Sequence, residues 1–285
     1  MPELSQRHDK VRKSNTLIRG RHQLSLVEQK IILYLISKIK PSDSDFKLYD
    51  FEVREFMRVC GLTNNGRSYR EIKRVLKGLS DKSWEIKLPN GVWTILRWVE
   101  KPYIEENSGL VRIRLDRDLK PYLLELRGNF TEFELINCLA FSSKYSIHFY
   151  EYICSVHYHE LESYTFTLSV SELREIMCSG DHYPLWGNFK QRVLDVTTSE
   201  INKYSNKKIS YQEIKKGREV SGVIFTVTSK DSMETLFAHQ YIEEILDDKT
   251  DTGKKNAGSK LDAALARHAK CISTCETDDP SNEFD

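Results

Sequence analysis

"WGNFKQRVLDVTTSEIN", residues 186–202, has the apolar spacing of a helix and an unusual second face. Trp186, Phe189, Val193, Val196 and Ile201 recur on one side at helical spacing. Asn188, Gln191, Arg192, Asp195, Ser199 and Asn202 line the other side. That side carries few of the Glu and Lys residues that usually solvate a surface helix. Its amides, guanidinium and small hydroxyls are suited to hydrogen bonding with a partner.

The elements around this helix occur twice. Residues 24–40, LSLVEQKIILYLISKIK, place Ile31, Ile32, Leu35, Ile36 and Ile39 on one helical stripe. FKLYDFEV then alternates Tyr49, Phe51 and Val53 as a short strand. VREFMRVCGL is a short helix ending at Gly61, and SYREIKRVLKGLS is a second, with Tyr69, Ile72, Leu76 and Leu79 inward. SWEIKLPNGVWTILRWVE is a hairpin whose Asn90-Gly91 suits a type I′ turn. Adding 117 converts these core positions into His148, Phe149, Tyr152, Ile153, Val156, Phe166, Leu168, Val170, Leu173, Trp186, Phe189, Val193 and Val196. Apolar positions stay apolar or aromatic across four elements, so the chain reads as two copies of one domain.

Helix, strand, helix, turn, helix and hairpin is the order of a winged helix-turn-helix. The second helix of that turn enters a DNA major groove. The polar face of 186–202 is then aimed at bases and phosphates, with Asn188, Lys190, Gln191 and Arg192 near its start. Arg suits guanine and Gln suits adenine, since each makes two parallel hydrogen bonds there. The following hairpin begins with Lys207 and Lys208 and carries Lys215, Lys216 and Arg218 at its tip, placed for backbone phosphates. In the first copy, Arg70, Lys73, Arg74 and Lys77 form a stripe at i, i+3, i+4 and i+7, with Arg67 just before. Four cations without amides suit phosphate gripping more than base reading. A solvated surface is the competing reading of both charge sets.

Composition agrees with a two-domain DNA-binding chain. Of 285 residues, 39% are hydrophobic and 30% charged. Residues 231–285 hold 6 Lys+Arg against 13 Asp+Glu, leaving 37 against 29 in residues 1–230. A moderately basic body therefore carries an acidic tail. No signal peptide or run of ~18 apolar residues is present, which points to a cytoplasmic protein with reduced cysteines. Cys138, Cys154 and Cys178 read as core thiols; Cys271 and Cys275, with His268 nearby, lack a fourth metal ligand. No GxxxxGK[ST], HExxH or GxSxG motif occurs. His157-Tyr158-His159 resembles the metal triplet of nicking enzymes. It follows a helical pattern, however, where i and i+2 diverge by about 200°. No catalytic residue, cofactor or metal is therefore assigned.

KPYLLELRGNFTEFELINCLAFSSKYSIHFYEYI, FKQRVLDVTTSEIN and KKGREVSGVIFTV together resemble the iteron-binding plasmid replication initiators, the Rep proteins of the RepE, RepA and π type. The resemblance is carried by Leu123, Phe130-Thr131, Ser143-Lys144-Tyr145-Ser146, Tyr150-Glu151, Phe189-Lys190, Val193 and Glu200-Ile201-Asn202. It covers roughly residues 10–230 and leaves out the acidic tail. It implies a bacterial, plasmid-encoded, non-enzymatic protein whose monomers bind direct repeats in double-stranded origin DNA and help melt it. It also implies recruitment of the host initiator protein, replicative helicase and chaperones. A homodimer would repress the protein's own gene at an inverted repeat, with the first domain supplying much of the dimer contact. A winged-helix repressor with no replication role and a rolling-circle nicking enzyme are the alternatives.

The expected fold class is α+β: two tandem winged helix-turn-helix domains related by an internal repeat, with an acidic, disordered C-terminal tail. The expected divisions are a flexible N-terminus over 1–14, a first domain over 15–130, a second over 131–230 and a tail over 231–285. Residues 231–248 hold one further helical pattern, with Leu236, Ile242 and Ile245 apolar.

Overall fold

The computed structural model describes residues 6–62, 66–87, 91–105, 109–126, 128–156 and 162–250; of residues 66–69, 87, 249 and 250 only the backbone is described. Strand β1 (Lys10–Ser14) precedes helix α1 (Leu26–Ser37), strand β2 (Tyr49–Glu52) and helices α2 (Val53–Val59) and α3 (Gly66–Asp81). Strands β3 (Ser83–Lys87) and β4 (Trp93–Arg97) form a hairpin, followed by β5 (Tyr103–Ile104), β6 (Leu110–Ile113) and β7 (Phe130–Glu134). The second half contains α4 (Lys144–Ser155), β8 (Ser163–Ser169) and α5 (Val170–Ile176). Helix α6 runs in three consecutive parts, Trp186–Phe189, a π-helical Lys190–Leu194 and Asp195–Tyr204. Hairpin strands β9 (Lys207–Lys216) and β10 (Glu219–Ser229) and helix α7 (Ser232–Thr250) follow.

The two halves repeat one plan. Helices α2 and α5 stand 117 residues apart at both ends. Ile31, Ile32, Leu35 and Ile36 of α1 are buried, as are His148, Phe149 and Ile153 of α4. Phe56 and Leu173 are fully buried at matching positions, and so are Leu76 and Val193. The offset fails only after the second helix of the turn, since β9 starts 124 residues after β3. Each half starts a helix with a serine–glutamate capping box. Ser25 and Glu28 cap α1, and Ser169 and Glu172 cap α5, each pair exchanging side-chain and backbone hydrogen bonds.

The sheets differ between the halves. In the second, β8, β10 and β9 pair in that order, so the strand before the turn motif joins its wing. In the first, β2 pairs with β6, and the β3–β4 hairpin forms a sheet of its own. The segment after β4 supplies the replacement partner, with Val99 bridging Leu115.

The N-terminus is not a flexible lead as far as it is described. Residues 10–14 pair antiparallel with β7, so the expected division at 130/131 cuts a strand. Val11 and Lys13 face inward, while Lys10 and Arg12 lie opposite Glu134 and Glu132 and pair with them. Cross-strand opposite charges stabilise such a pair of strands. Phe130, at the start of β7, is 39% exposed, whereas Leu123 is buried.

The expected helix after residue 231 is present as α7, and it packs on the first domain. Tyr241, Ile242 and Leu246 form its buried face, Ile245 is half-buried and Leu236 is exposed. Arg7 is fully buried, donates to the carbonyls of Arg58 and Val59 at the end of α2, and pairs with Asp247 at 2.9 Å. The expected disorder of the tail concerns residues 251–285, outside the described residues, as do Cys271, Cys275 and His157-Tyr158-His159. Among the described residues no helix is long and apolar enough to cross a membrane. Burial pushes the Cys60 thiol up to about 12 and that of Cys154 to about 11, so both stay protonated and unreactive at neutral pH.

Gly61 follows α2 with φ +59°, and a Cβ there would stand 2.2 Å from Leu246 Cδ2. Gly61→Ala is expected to cost about 1–3 kcal/mol through backbone strain and displacement of α7. Urea unfolding measures the loss, and hydrogen exchange should locate it at residues 242–246. An unchanged midpoint would contradict this packing.

Candidate nucleic-acid interface

The turn leading into α6 is held by one side chain. The Arg174 guanidinium of α5 donates to the carbonyls of His182, Tyr183 and Pro184 at 3.3, 2.9 and 3.1 Å. Its carbon also sits 4.5 Å from the centroid of the Phe189 ring. Cys178 and Tyr183 take φ values of 49° and 59°, strained for residues with a side chain, and Arg174 closes the loop that contains Tyr183. No local pattern signals this, since Arg174 sits among surface-type charges in SELREI. Cys178, expected as a core thiol, is only half-buried and lies in this turn.

The start of α6 is therefore fixed, and its exposed face can be read residue by residue. Phe189 and Val193 are fully buried, while Asn188, Gln191, Arg192, Asp195 and Ser199 are exposed. Gln191 and Arg192 lie on the π turn, closed by Asp195 N donating to Lys190 O. Such widened turns are frequent at functional sites. Among the described residues no hydrogen bond or ion pair engages the side chains of Gln191 and Arg192. Asn202 departs from the expected face. Its amide donates to Ile209 O at 2.9 Å and accepts from Ile209 N at 2.6 Å, joining α6 to the wing. Glu200 accepts from the Ser142 and Ser143 amides ahead of α4 at 2.8 and 3.3 Å. The Glu200-Ile201-Asn202 triplet thus anchors the helix on both sides of buried Ile201.

The wing separates the remaining basic residues. Lys190 pairs with Glu213 of β9 at 2.8 Å, and Trp186 Nε1 donates to the same oxygen at 3.3 Å. The hydrogen bond raises the Lys190 pKa and lowers that of Glu213. Tyr211 donates to Asp195. Helix and wing are thereby braced, and Lys190 is a strut more than a free contact. Lys207, expected at the interface, is buried instead. It shares the inward face of β9 with Ile209 and donates to Ser229 Oγ at 2.9 Å. Lys208 is exposed but pairs with Glu234 of α7.

Lys215, Lys216 and Arg218 are exposed around Gly217, whose φ of +66° suits the tight tip. Lys216→Ala or Arg218→Ala is expected to weaken binding to any duplex alike. Each should lower the slope of log K against log salt by about 0.9. A loss confined to one DNA sequence would contradict this assignment.

In the first domain, Arg70, Lys73, Arg74 and Lys77 are all exposed along α3, and Arg74 lies 3.6 Å from Glu71. The side chain of Arg67 lies outside the described residues. Each half thus presents an exposed polar helix after its turn. The first carries four cations with Glu71 beside Arg74; the second offers amides and the Arg192 guanidinium, which has no ion-pair partner among the described residues.

Comparison with known proteins agrees with this plan. Residues 10–154 match the family described as Initiator Replication protein, WH1, and residues 169–227 match Initiator Rep protein, WH2. The chain is 22% identical over 222 residues to a replication initiation protein from Escherichia coli, covering 75% of this chain and 68% of that protein. Its fold is similar to the crystal structure of Pi initiator protein in complex with iteron DNA. The TM-score is 0.67 at 21% identity, over 79% of this chain and 99% of that one. With both winged-helix halves matched in order, the chain belongs to the initiator replication protein family.

Proposed function

We propose that the chain starts replication of a plasmid by binding direct repeats in double-stranded origin DNA, with no catalysis of its own. The observation that carries this reading is the exposed Asn188, Gln191 and Arg192 face of α6, braced against a basic wing. The fold shared with an initiator crystallised on iteron DNA supports it. The second domain reads bases through Gln191 and Arg192, with Asn188 beside them. The first domain grips phosphates through Arg70, Lys73, Arg74, Lys77 and Arg67. Bound copies open the duplex and recruit the host initiator protein, replicative helicase and chaperones in the bacterial cytoplasm.

The test is replication itself. The gene and its flanking repeats are placed on a plasmid without another origin. Autonomous replication that is lost when the repeats are scrambled is expected. Repeat binding without replication would favour a winged-helix repressor, and a strand-specific nick with Mg²⁺ would favour a nicking enzyme.

A homodimer acting on an inverted repeat to repress the gene fits a surface of the first domain. Trp93 and Ile95, 62% and 61% exposed, lie on one face of β4 in a sheet that has two strands among the described residues. Exposed apolar side chains beside an unpaired strand edge favour association with a second copy. Changing Trp93 and Ile95 to Ser is expected to weaken dimerisation at least about tenfold in sedimentation equilibrium, a loss of roughly 1.4 kcal/mol. Binding of the monomer to a single repeat should survive. An unchanged dimer constant would remove this face from the account.

A further inference from the structure

Three side chains from distant parts of the chain converge beside α7. His8 lies ahead of β1, Glu134 is the last residue of β7, and His239 lies on α7. His8 Nδ1 is 3.2 Å from Glu134 Oε2, and His239 Nδ1 is 3.7 Å from the same oxygen. One ligand atom from each of the three residues lies within 4.8 Å of the other two. Ligand atoms around tetrahedral zinc, with bonds of about 2.0–2.1 Å, stand roughly 3.4 Å apart. Both measured edges are close to that spacing.

The outer nitrogens decide which atoms face the centre. Asn137 Oδ1 accepts from the Asn206 amide at 3.1 Å and lies 3.0 Å from His239 Nε2. A carbonyl oxygen only accepts, so His239 Nε2 carries a proton. The neutral ring then turns its Nδ1 lone pair toward the Glu134 carboxylate. That arrangement is repulsive unless a cation, or a second proton on the ring, lies between the two. His8 is placed alike: its Nε2 is 3.1 Å from Glu243 Oε1, leaving Nδ1 for the centre. Outer N–H groups held by oxygen acceptors are what orient imidazoles around a metal. Lys10 donates to Glu134 Oε1 at 3.0 Å and leaves Oε2 directed at the two rings. The side chains of His8 and Glu134 are 42% and 29% exposed, so an ion and a water can reach the centre.

We propose that His8 Nδ1, His239 Nδ1 and a Glu134 oxygen bind one divalent cation of the zinc class, with water in the fourth position. Two imidazoles and one carboxylate select zinc-like ions over calcium or magnesium, which take oxygen ligands. The ion ties the N-terminal segment and β7 to α7, so it stabilises the packing of the last helix on the first domain.

The test is Zn²⁺ titration of the full chain against a chromophoric chelator, with Cys271 and Cys275 changed to Ser. Those cysteines and His268 form a rival set outside the described residues. One equivalent of Zn²⁺ is expected to bind and to raise the unfolding midpoint. Co²⁺ should give visible absorption without a sulfur charge-transfer band. His8→Ala, at an exposed position, and Glu134→Gln should each weaken binding on the order of 100-fold while circular dichroism stays unchanged. Absence of binding below about 100 µM, or binding indifferent to His8→Ala, would overturn the site and leave a cluster of histidine–carboxylate pairs.

Discussion

Glu151→Ala is expected to destabilise the protein by about 3–5 kcal/mol, among the largest effects of any single substitution outside the apolar core. Lys13 Nζ donates to both oxygens of Glu151, at 2.7 and 2.9 Å, and each side chain is 2% exposed. Lys13 comes from β1 and Glu151 from α4, so the pair ties the N-terminal strand to a helix 138 residues further along the chain. The Trp98 ring lies 5.9 Å from the ammonium, and His22 and His148 are fully enclosed close by. Burial is the main cause that lowers both histidines, His148 to about 3, and the charge on Lys13 adds to it. Both rings are therefore neutral and supply no negative charge in place of the carboxylate. Removing Glu151 leaves a buried, uncompensated ammonium. Replacing both partners, Lys13→Met with Glu151→Met, should recover most of the loss, because an apolar pair needs no compensation. Equilibrium denaturation of the two single variants and the double variant measures this. Additive losses would contradict a direct buried pair.

Arg192→Ala is expected to cost about 1–3 kcal/mol on the cognate repeat, a loss of roughly 5- to 150-fold in affinity. On random duplex the cost should be much smaller, because a base contact contributes only where its base is present. Arg192 is exposed, and among the described residues no carboxylate pairs with it, whereas Lys190 is held by Glu213. Phe189 and Val193 are fully buried around it, so truncating Arg192 leaves the core of α6 intact. Competition binding with cognate and random duplexes measures the ratio, and circular dichroism checks that the helix is preserved.

The repeated domain was legible because its signals are local. Helical spacing, strand alternation and a hairpin with a basic tip are each readable within a single element of the chain. The exposed face of α6 was legible for the same reason, apart from Asn202, whose partner is the wing backbone at Ile209. What could not be read are pairings over distance. Lys13 and Glu151 are 138 residues apart, and neither looks exceptional in its own segment. The charged run Lys10–Lys13 resembled a flexible lead because its acidic partners, Glu132 and Glu134, lie on a strand far along the chain. Lys207 carried a local signal that went unused. It has the same strand parity as Ile209, so in a hairpin with one buried face it points inward. Lys190 had none, since Glu213 reaches it only once the wing folds back over α6.

The central claim is that α6 reads bases while the wing grips phosphates. The most direct measurement is a double-mutant cycle between protein and DNA. The cognate duplex is first enriched from a random pool by the full chain. Each guanine is then replaced in turn by 7-deazaguanine, which lacks the N7 acceptor used by a bidentate arginine. The account predicts a coupling of about 1 kcal/mol or more between Arg192→Ala and one or two guanines, and no coupling for Lys216→Ala at any position. Additivity between Arg192→Ala and every guanine, with coupling appearing for a wing or α3 residue instead, would contradict it.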